Sequence, residues 1–180
     1  MERHNTLEHC YLLGDFGVSV MGSYATLESR KEKIGFGSID KQGLFFYSGN
    51  ITYKKEIETP DCDLLIKTPS YRGGLVKVIL DGEEKYSAFP PYETEFLGVS
   101  KGTHTIEFKL FGNRYNTLGA LHFSDDTETW AGRECFLRRD DLWCDEYRTR
   151  PFGILKSPIV EVFDKLYNDF QLNSNVNEEV

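Results

Sequence analysis

The 180-residue chain has no basic stripe: 21 Lys and Arg stand against 29 Asp and Glu, a formal net charge of -8. Binding a polyanion by counterion release needs clustered cations, so nucleic acid is not an expected partner. No run approaches the ~18 apolar residues that span a bilayer, and no membrane is expected either. The four cysteines, Cys10, Cys62, Cys135 and Cys144, form no Cys-x-x-Cys pair, and His4, His9, His104 and His122 fall at no ligand spacing from them. Zinc is therefore unsupported. Two disulfides remain open to these thiols, but a chain this long needs no staples, and they read as reduced core residues. Met1 to Tyr11 carries charge and histidine where a signal peptide carries ~7 to 15 apolar residues. A cytoplasmic rather than secreted location is expected, unless the chain is a piece of a longer protein. No Gly-x-Ser-x-Gly elbow and no P-loop is present.

Helical periodicity is nearly absent as well. What the chain has in quantity is aromatic side chains, 13 Phe, 10 Tyr and 2 Trp, set in short runs with Val, Ile and Thr and bounded by Gly, Pro, Asp or Asn. That is the pattern of an all-β chain. In Thr105 to Phe111, Ile106, Phe108 and Leu110 share one face while Thr105, Glu107 and Lys109 share the other, which predicts a strand with one buried side. Leu75 to Leu80 runs into Asp81-Gly82, a dipeptide that tolerates the positive φ of a tight hairpin, and the chain returns over Glu84 to Phe89. Pro90 and Pro91 cannot donate to a ladder and form a rigid connection before a further strand over Glu93 to Leu97. Tyr11 to Val20, Phe45 to Ile57, Leu64 to Lys67, Ala120 to Phe123 and Ile154 to Phe163 complete a set of about eight strands, enough for a sandwich or barrel. Ser124 to Arg150 is a long irregular segment, Asp164 to Phe170 has room for one or two helical turns, and Gln171 to Val180 is polar and expected to be disordered. The organisation expected is one β-sandwich over 1–163 and a polar tail over 164–180.

Four segments carry a resemblance: Tyr11-Leu-Leu-Gly-Asp-Phe-Gly-Val18, Gln42-Gly-Leu-Phe-Phe-Tyr-Ser-Gly-Asn-Ile-Thr-Tyr53, Tyr71-Arg-Gly-Gly-Leu-Val-Lys-Val-Ile-Leu-Asp-Gly82 and Lys109-Leu-Phe-Gly-Asn-Arg-Tyr-Asn116. They resemble the C-terminal, galactose-binding-like β-sandwich of large bacterial glycoside hydrolases, of the family-two-like sugar-binding and α-L-rhamnosidase-related kind. The resemblance implies a jelly-roll sandwich in an accessory role. Those enzymes carry their catalytic carboxylates on a separate barrel or toroid, so it also implies a fragment or a solitary module, with a glycoside hydrolase catalytic domain as a partner.

A sugar offers hydroxyls at its ring edge and C–H patches on its faces, and its site needs an aromatic platform flanked by planar donors and acceptors. Tyr71 and Arg72 precede the hairpin, and Asn113, Arg114 and Asn116 follow the clearest strand. His122, Trp130 and Trp143 are the candidate platform. The competing reading pairs Arg72 and Arg114 with acids and lays both tryptophans over the sandwich edge. Carboxylates are plentiful at Asp125/Asp126, Asp140/Asp141 and Asp145/Glu146, but adjacent acids in an extended chain point to opposite faces, and their Arg-rich surroundings read as solvated ion pairs rather than a catalytic pair. No cofactor is expected. A structural Ca²⁺ is the one metal these oxygens suit, though no Asp-x-Asp-x-Asp-Gly loop is present. The sequence thus points to a non-catalytic carbohydrate-binding module. Its rivals are an interdomain docking module without a ligand and a small carboxylate-dependent glycosidase.

Overall fold

The computed structural model describes residues 11–125, 132–136 and 141–164. Eleven strands lie among them: β1 (Phe16–Met21), β2 (Tyr24–Ser29), β3 (Ile51–Thr59), β4 (Cys62–Lys67), β5 (Tyr71–Arg72), β6 (Leu75–Leu80), β7 (Glu83–Ser87), β8 (Glu93–Val99), β9 (Gly102–Phe111), β10 (Gly153–Ile154) and β11 (Ile159–Phe163). One helical turn, α1 (Tyr115–Leu118), follows β9.

Alternation sorts each long strand into a wet face and an apolar one, and the apolar faces need cover. In β9 the buried series is His104, Ile106, Phe108 and Leu110. Antiparallel pairing aligns it with Ile51 and Tyr53 of β3 on one side and with Val76, Val78 and Leu80 of β6 on the other. This gives a four-stranded sheet, β3-β9-β6-β7. A three-stranded sheet, β11-β4-β8, presents Cys62, Leu64, Ile66 and Phe96, and these merge with the first set into one buried cluster closed by Ile39, Phe152 and Ile154. The protein is an all-β sandwich.

Sequence and structure agree most closely at the β6-β7 turn. Asp81 and Gly82 adopt φ of 48° and 95°, the left-handed pair that a two-residue hairpin with native twist requires. Elsewhere the elements shift. β1 begins at Phe16 rather than Tyr11, since Tyr11 to Leu13 have no ladder partner among the described residues, and it pairs with β2, which alternation alone did not reveal. Phe45 to Asn50 is not strand: the chain turns there, with Tyr47 N–H donating to the Leu44 carbonyl at 3.1 Å. Ala120 to Phe123 also turns, tied by Leu121 N–H to Gly119 and Phe123 N–H to Ala120, and among the described residues its strand-like contact is the Phe123–Trp143 bridge. The strand expected over Ile154 to Phe163 divides into β10 and β11, because Pro158 lacks the N–H to continue a ladder. The helical turns expected over Asp164 to Phe170, and the polar tail after them, lie outside the described residues apart from Asp164.

The β6-β7 turn is fastened to β9 by a charged pair. His104 Nδ1 faces Asp81 Oδ2 at 2.5 Å and Nε2 faces the Ser100 carbonyl at 2.8 Å. Both partners are acceptors, so the geometry favours the imidazolium, in which both ring nitrogens donate. The Asp81 hydrogen bond, then the Ser100 carbonyl, raise the His104 pKa above the usual histidine value. The His104 ring and the Thr105 N–H lower that of Asp81. A raised folded-state pKa stabilises the fold fully below the unfolded value of about 6.5 and ceases to do so as pH rises through the folded value. The contribution of Asp81 has the opposite sense and is lost in acid. Urea unfolding should show stability falling by about 1 kcal/mol between pH 6 and pH 9, a modest size because Asp81 is half-exposed and water screens the pair. His104→Leu should remove that slope; a slope that survives in the variant would sink the assignment.

Candidate functional site

The end of the sandwich where β5, β6 and β9 meet gathers several of the residues singled out in the sequence. Gly74 N–H donates to the Phe111 carbonyl at 2.7 Å, which lays the Arg72–Gly74 turn beside Gly112, Asn113 and Arg114. Arg72 is further fixed by pairing with Gly153 of β10. Next to it opens a crevice of about 370 Å³ lined by Thr68, Ser70, Tyr71, Arg72, Gly73 and Tyr92 among others.

Tyr71 and Tyr92 meet edge to face with ring centroids 5.5 Å apart. The Tyr71 hydroxyl donates to the Ser87 carbonyl at 3.1 Å, and burial, helped by Tyr92, raises its pKa above the ordinary tyrosine value. Tyr92 follows the cis Pro90–Pro91 peptide with φ of 61°, a left-handed backbone that a bulky residue adopts only under constraint. The turn is held by Tyr92 N–H on the Phe89 carbonyl and by Thr68 N–H on the Tyr92 carbonyl. Behind them the Thr68 hydroxyl is fully buried with no hydrogen-bond partner among the described residues. Arg72 is exposed and makes no ion pair among them, contrary to the loop-locking alternative. The crevice lining contains no carboxylate, imidazole or thiol. It has groups to hold a polar ligand and none of the paired carboxyls that cleave a glycosidic bond.

The other candidates have different surroundings. Asn113 Oδ1 accepts the Tyr115 N–H at 3.1 Å and opens α1, where Arg114 is exposed and makes no ion pair among the described residues. Asn116 is buried, and both ends of its amide are used: Nδ2 donates to the Arg150 carbonyl at 2.8 Å and Oδ1 accepts the Arg150 N–H at 2.9 Å. It ties α1 to the irregular segment that leads into β10. His122 lies against two rings, Trp143 at 4.5 Å and Tyr147 at 4.6 Å, and its Nδ1 donates to the Cys144 carbonyl. Trp143 has one face on His122 and donates Nε1–H to Asp145 at 3.0 Å. Tyr147 in turn meets Phe46 edge on, so these aromatics fasten the irregular segment to the Phe45–Tyr47 turn. Trp130, Asp126 and Asp140 lie outside the described residues. Asp125, Asp141, Asp145 and Glu146 are all exposed, and Glu146 pairs with Arg148 at 3.7 Å. Among the described residues no three His, Cys, Asp or Glu side chains come together as a metal site.

Sequence reasoning passed over Tyr92, Thr68 and Ser70. The Pro90-Pro91-Tyr92 run was the available signal, since a constrained turn fixes the side chain that follows it.

No protein-family model and no curated protein matches the chain. Solved structures similar to part of it include two glycoside hydrolases. A GH2 β-galacturonidase from Eisenbergiella tayi bound to galacturonate is 18% identical over 65% of this chain, with a TM-score of 0.38. A GH2 β-galacturonidase from the same organism bound to glycerol is 18% identical over 66%, with a TM-score of 0.40. The chain spans about a fifth of the length of those enzyme chains, 21% in each case.

Proposed function

We propose that the chain is a non-catalytic accessory module of a glycoside hydrolase, galactose-binding-like in its jelly-roll fold, that binds carbohydrate in the Arg72 crevice. The observation that supports this most is Arg72 itself, a guanidinium without an ion-pair partner among the described residues, at the mouth of a crevice walled by Tyr71 and Tyr92. A planar fork of donors beside an aromatic ring suits adjacent sugar hydroxyls and the C–H face of the same ring. Asn113 and Arg114, on the neighbouring turn, extend the contact to a second residue of a chain. Affinity for a single sugar is weak on this reading, because each hydrogen bond nets only about 1 kcal/mol once water is displaced.

The test is calorimetric titration with a panel of plant and microbial glycans. Saturable binding that weakens tenfold or more in both Arg72→Ala and Tyr92→Ala, with the denaturation midpoint retained, is the expected result. A folded protein silent across the panel would overturn it and favour docking onto a catalytic domain. The feature supporting that second reading is the β1-β2 hairpin, where Met21 is 84% and Tyr24 78% exposed and Leu13 beside it 89%. Between the hairpin and Leu44 to Tyr47 runs an apolar groove of about 490 Å³.

A further inference from the structure

The two sides of the sandwich are not closed alike. Between β7 and β8, the Lys85 ammonium donates to the Glu95 carbonyl and lies 4.8 Å from the Phe96 ring centroid, sealing the gap between the sheets. Between the free edges of β3 and β11 the gap stays open as a cleft of about 610 Å³. Its floor is core: Ile57, Ile106 and Phe108 from one sheet and Val160 from the other. Phe36 stacks on Tyr53 at 5.1 Å and forms a wall.

Into this apolar space β3 delivers a cation. Lys55 is the cross-strand partner of Ile106, which is 1% exposed, and paired residues of an antiparallel ladder project to the same face. Lys55 therefore stands on the core-facing side of β3, where its neighbours on that face are Tyr53 and Ile57. Lys33 lines the cleft from the segment before Phe36, and neither lysine makes an ion pair among the described residues. Lys54 also borders the cleft but stands on the opposite face of β3, where Glu107 neutralises it at 3.2 Å. Glu32 is the one acid among the residues that line the cleft. An inward lysine guards an edge strand against unwanted pairing, but that role needs no cavity beside it, and this cleft falls within the ~300 to 1,000 Å³ of small-molecule sites.

We propose that the cleft between β3 and β11 binds an amphipathic carboxylate, its apolar body against Ile57, Ile106, Phe108 and Val160 and its head on Lys55 and Lys33. The site shares no lining residue with the Arg72 crevice, so it stands or falls independently of carbohydrate binding.

Decanoate below its micelle threshold is the probe, with decan-1-ol as the uncharged match, followed by methyl NMR on the intact chain. The expected result is one saturable site that shifts the methyls of Ile57, Ile106 and Val160, binds decanoate at least tenfold more tightly than decanol, and loses that preference in Lys55→Gln but not in Lys54→Gln. Lys55 is exposed, so the denaturation midpoint of Lys55→Gln should stay near that of the parent; Lys55→Arg, which keeps the charge, should retain the preference and covers the case in which the midpoint falls. The proposal is overturned by absent saturation, by equal binding of acid and alcohol, or by shifts at Leu12 and Leu27 in place of the cleft methyls.

Discussion

Gly112→Ala will cost about 3 kcal/mol or more of unfolding free energy, an overpacking penalty at the top of its usual range. A Cβ at Gly112 would lie 2.0 Å from the Ser48 carbonyl oxygen and 2.6 Å from that of Gly49. Those are main-chain atoms of a turn held in turn by Ser48 on Thr117 and by Asn50 Oδ1, which accepts the Gly112 N–H at 3.1 Å. Nothing there is the free end of a flexible side chain, so either the turn or the end of β9 must move. Gly74 is the internal control: it lies on the adjacent turn, yet a Cβ there meets its nearest atom, the Phe111 carbonyl oxygen, at an ordinary 3.6 Å. Gly74→Ala should change stability by about 1 kcal/mol at most, in line with helix- and loop-interior glycines generally. Urea titrations of the two variants decide the matter, and equal midpoints would show that the close packing of these two turns is not what holds them.

Phe96→Ala should have a similar or larger effect, about 3–5 kcal/mol. Among the described residues Phe96 is the largest side chain with no exposure at all; it sits opposite Leu64 in the β4-β8 ladder and belongs to the buried cluster between the sheets. Its removal leaves a void in a core where Leu64 and Ile66 of the neighbouring strand are themselves fully buried. Lys85, positioned over the ring, loses its aromatic partner as well. For a domain of ordinary stability that is a large share of the total, and the midpoint in urea should fall accordingly while Phe96→Leu keeps most of it. A loss below about 1 kcal/mol in Phe96→Ala would mean that the core between the sheets is not packed as described.

The fold was readable wherever the determinant was local. Asp81-Gly82 specifies its turn by backbone sterics, and the alternation of β9 specifies a buried face, so both were legible from a handful of residues. The β1-β2 hairpin was not legible in that way: Val18 and Val20 face Leu27 and Ala25, but every residue of β2 is exposed, so no buried face marks it as a strand, and its turn rests on Gly22 alone, whose φ is 62°. The site divides in the same way. That Tyr71, Arg72, Asn113 and Arg114 would share one end followed from their places beside predicted strands. That His122 would lie between Trp143 and Tyr147, and Asn116 would clasp Arg150, depends on contacts between distant segments, about which composition is silent. Lys55 could have been noticed as a charge at an apolar position between Tyr53 and Ile57.

The pairing of β4 with β11 joins residues 62–67 to residues 159–163. A contact of such separation closes a long loop, and its entropy is lost before any burial compensates. β11 follows β4 and β8 in the chain by the whole irregular segment, so β4 can pair with β8 before β11 arrives, while its other edge is still bare. Until then, Leu64 and Ile66 border an unpaired ladder, the kind of edge on which nascent β-proteins meet each other or a chaperone. Lys67 lies at that border, and once β11 is in place it bonds Glu161 at 2.9 Å. One ammonium, between Glu93 of β8 at 3.7 Å and Glu161 of β11, thus ties the strand that forms early to the strand that closes the edge.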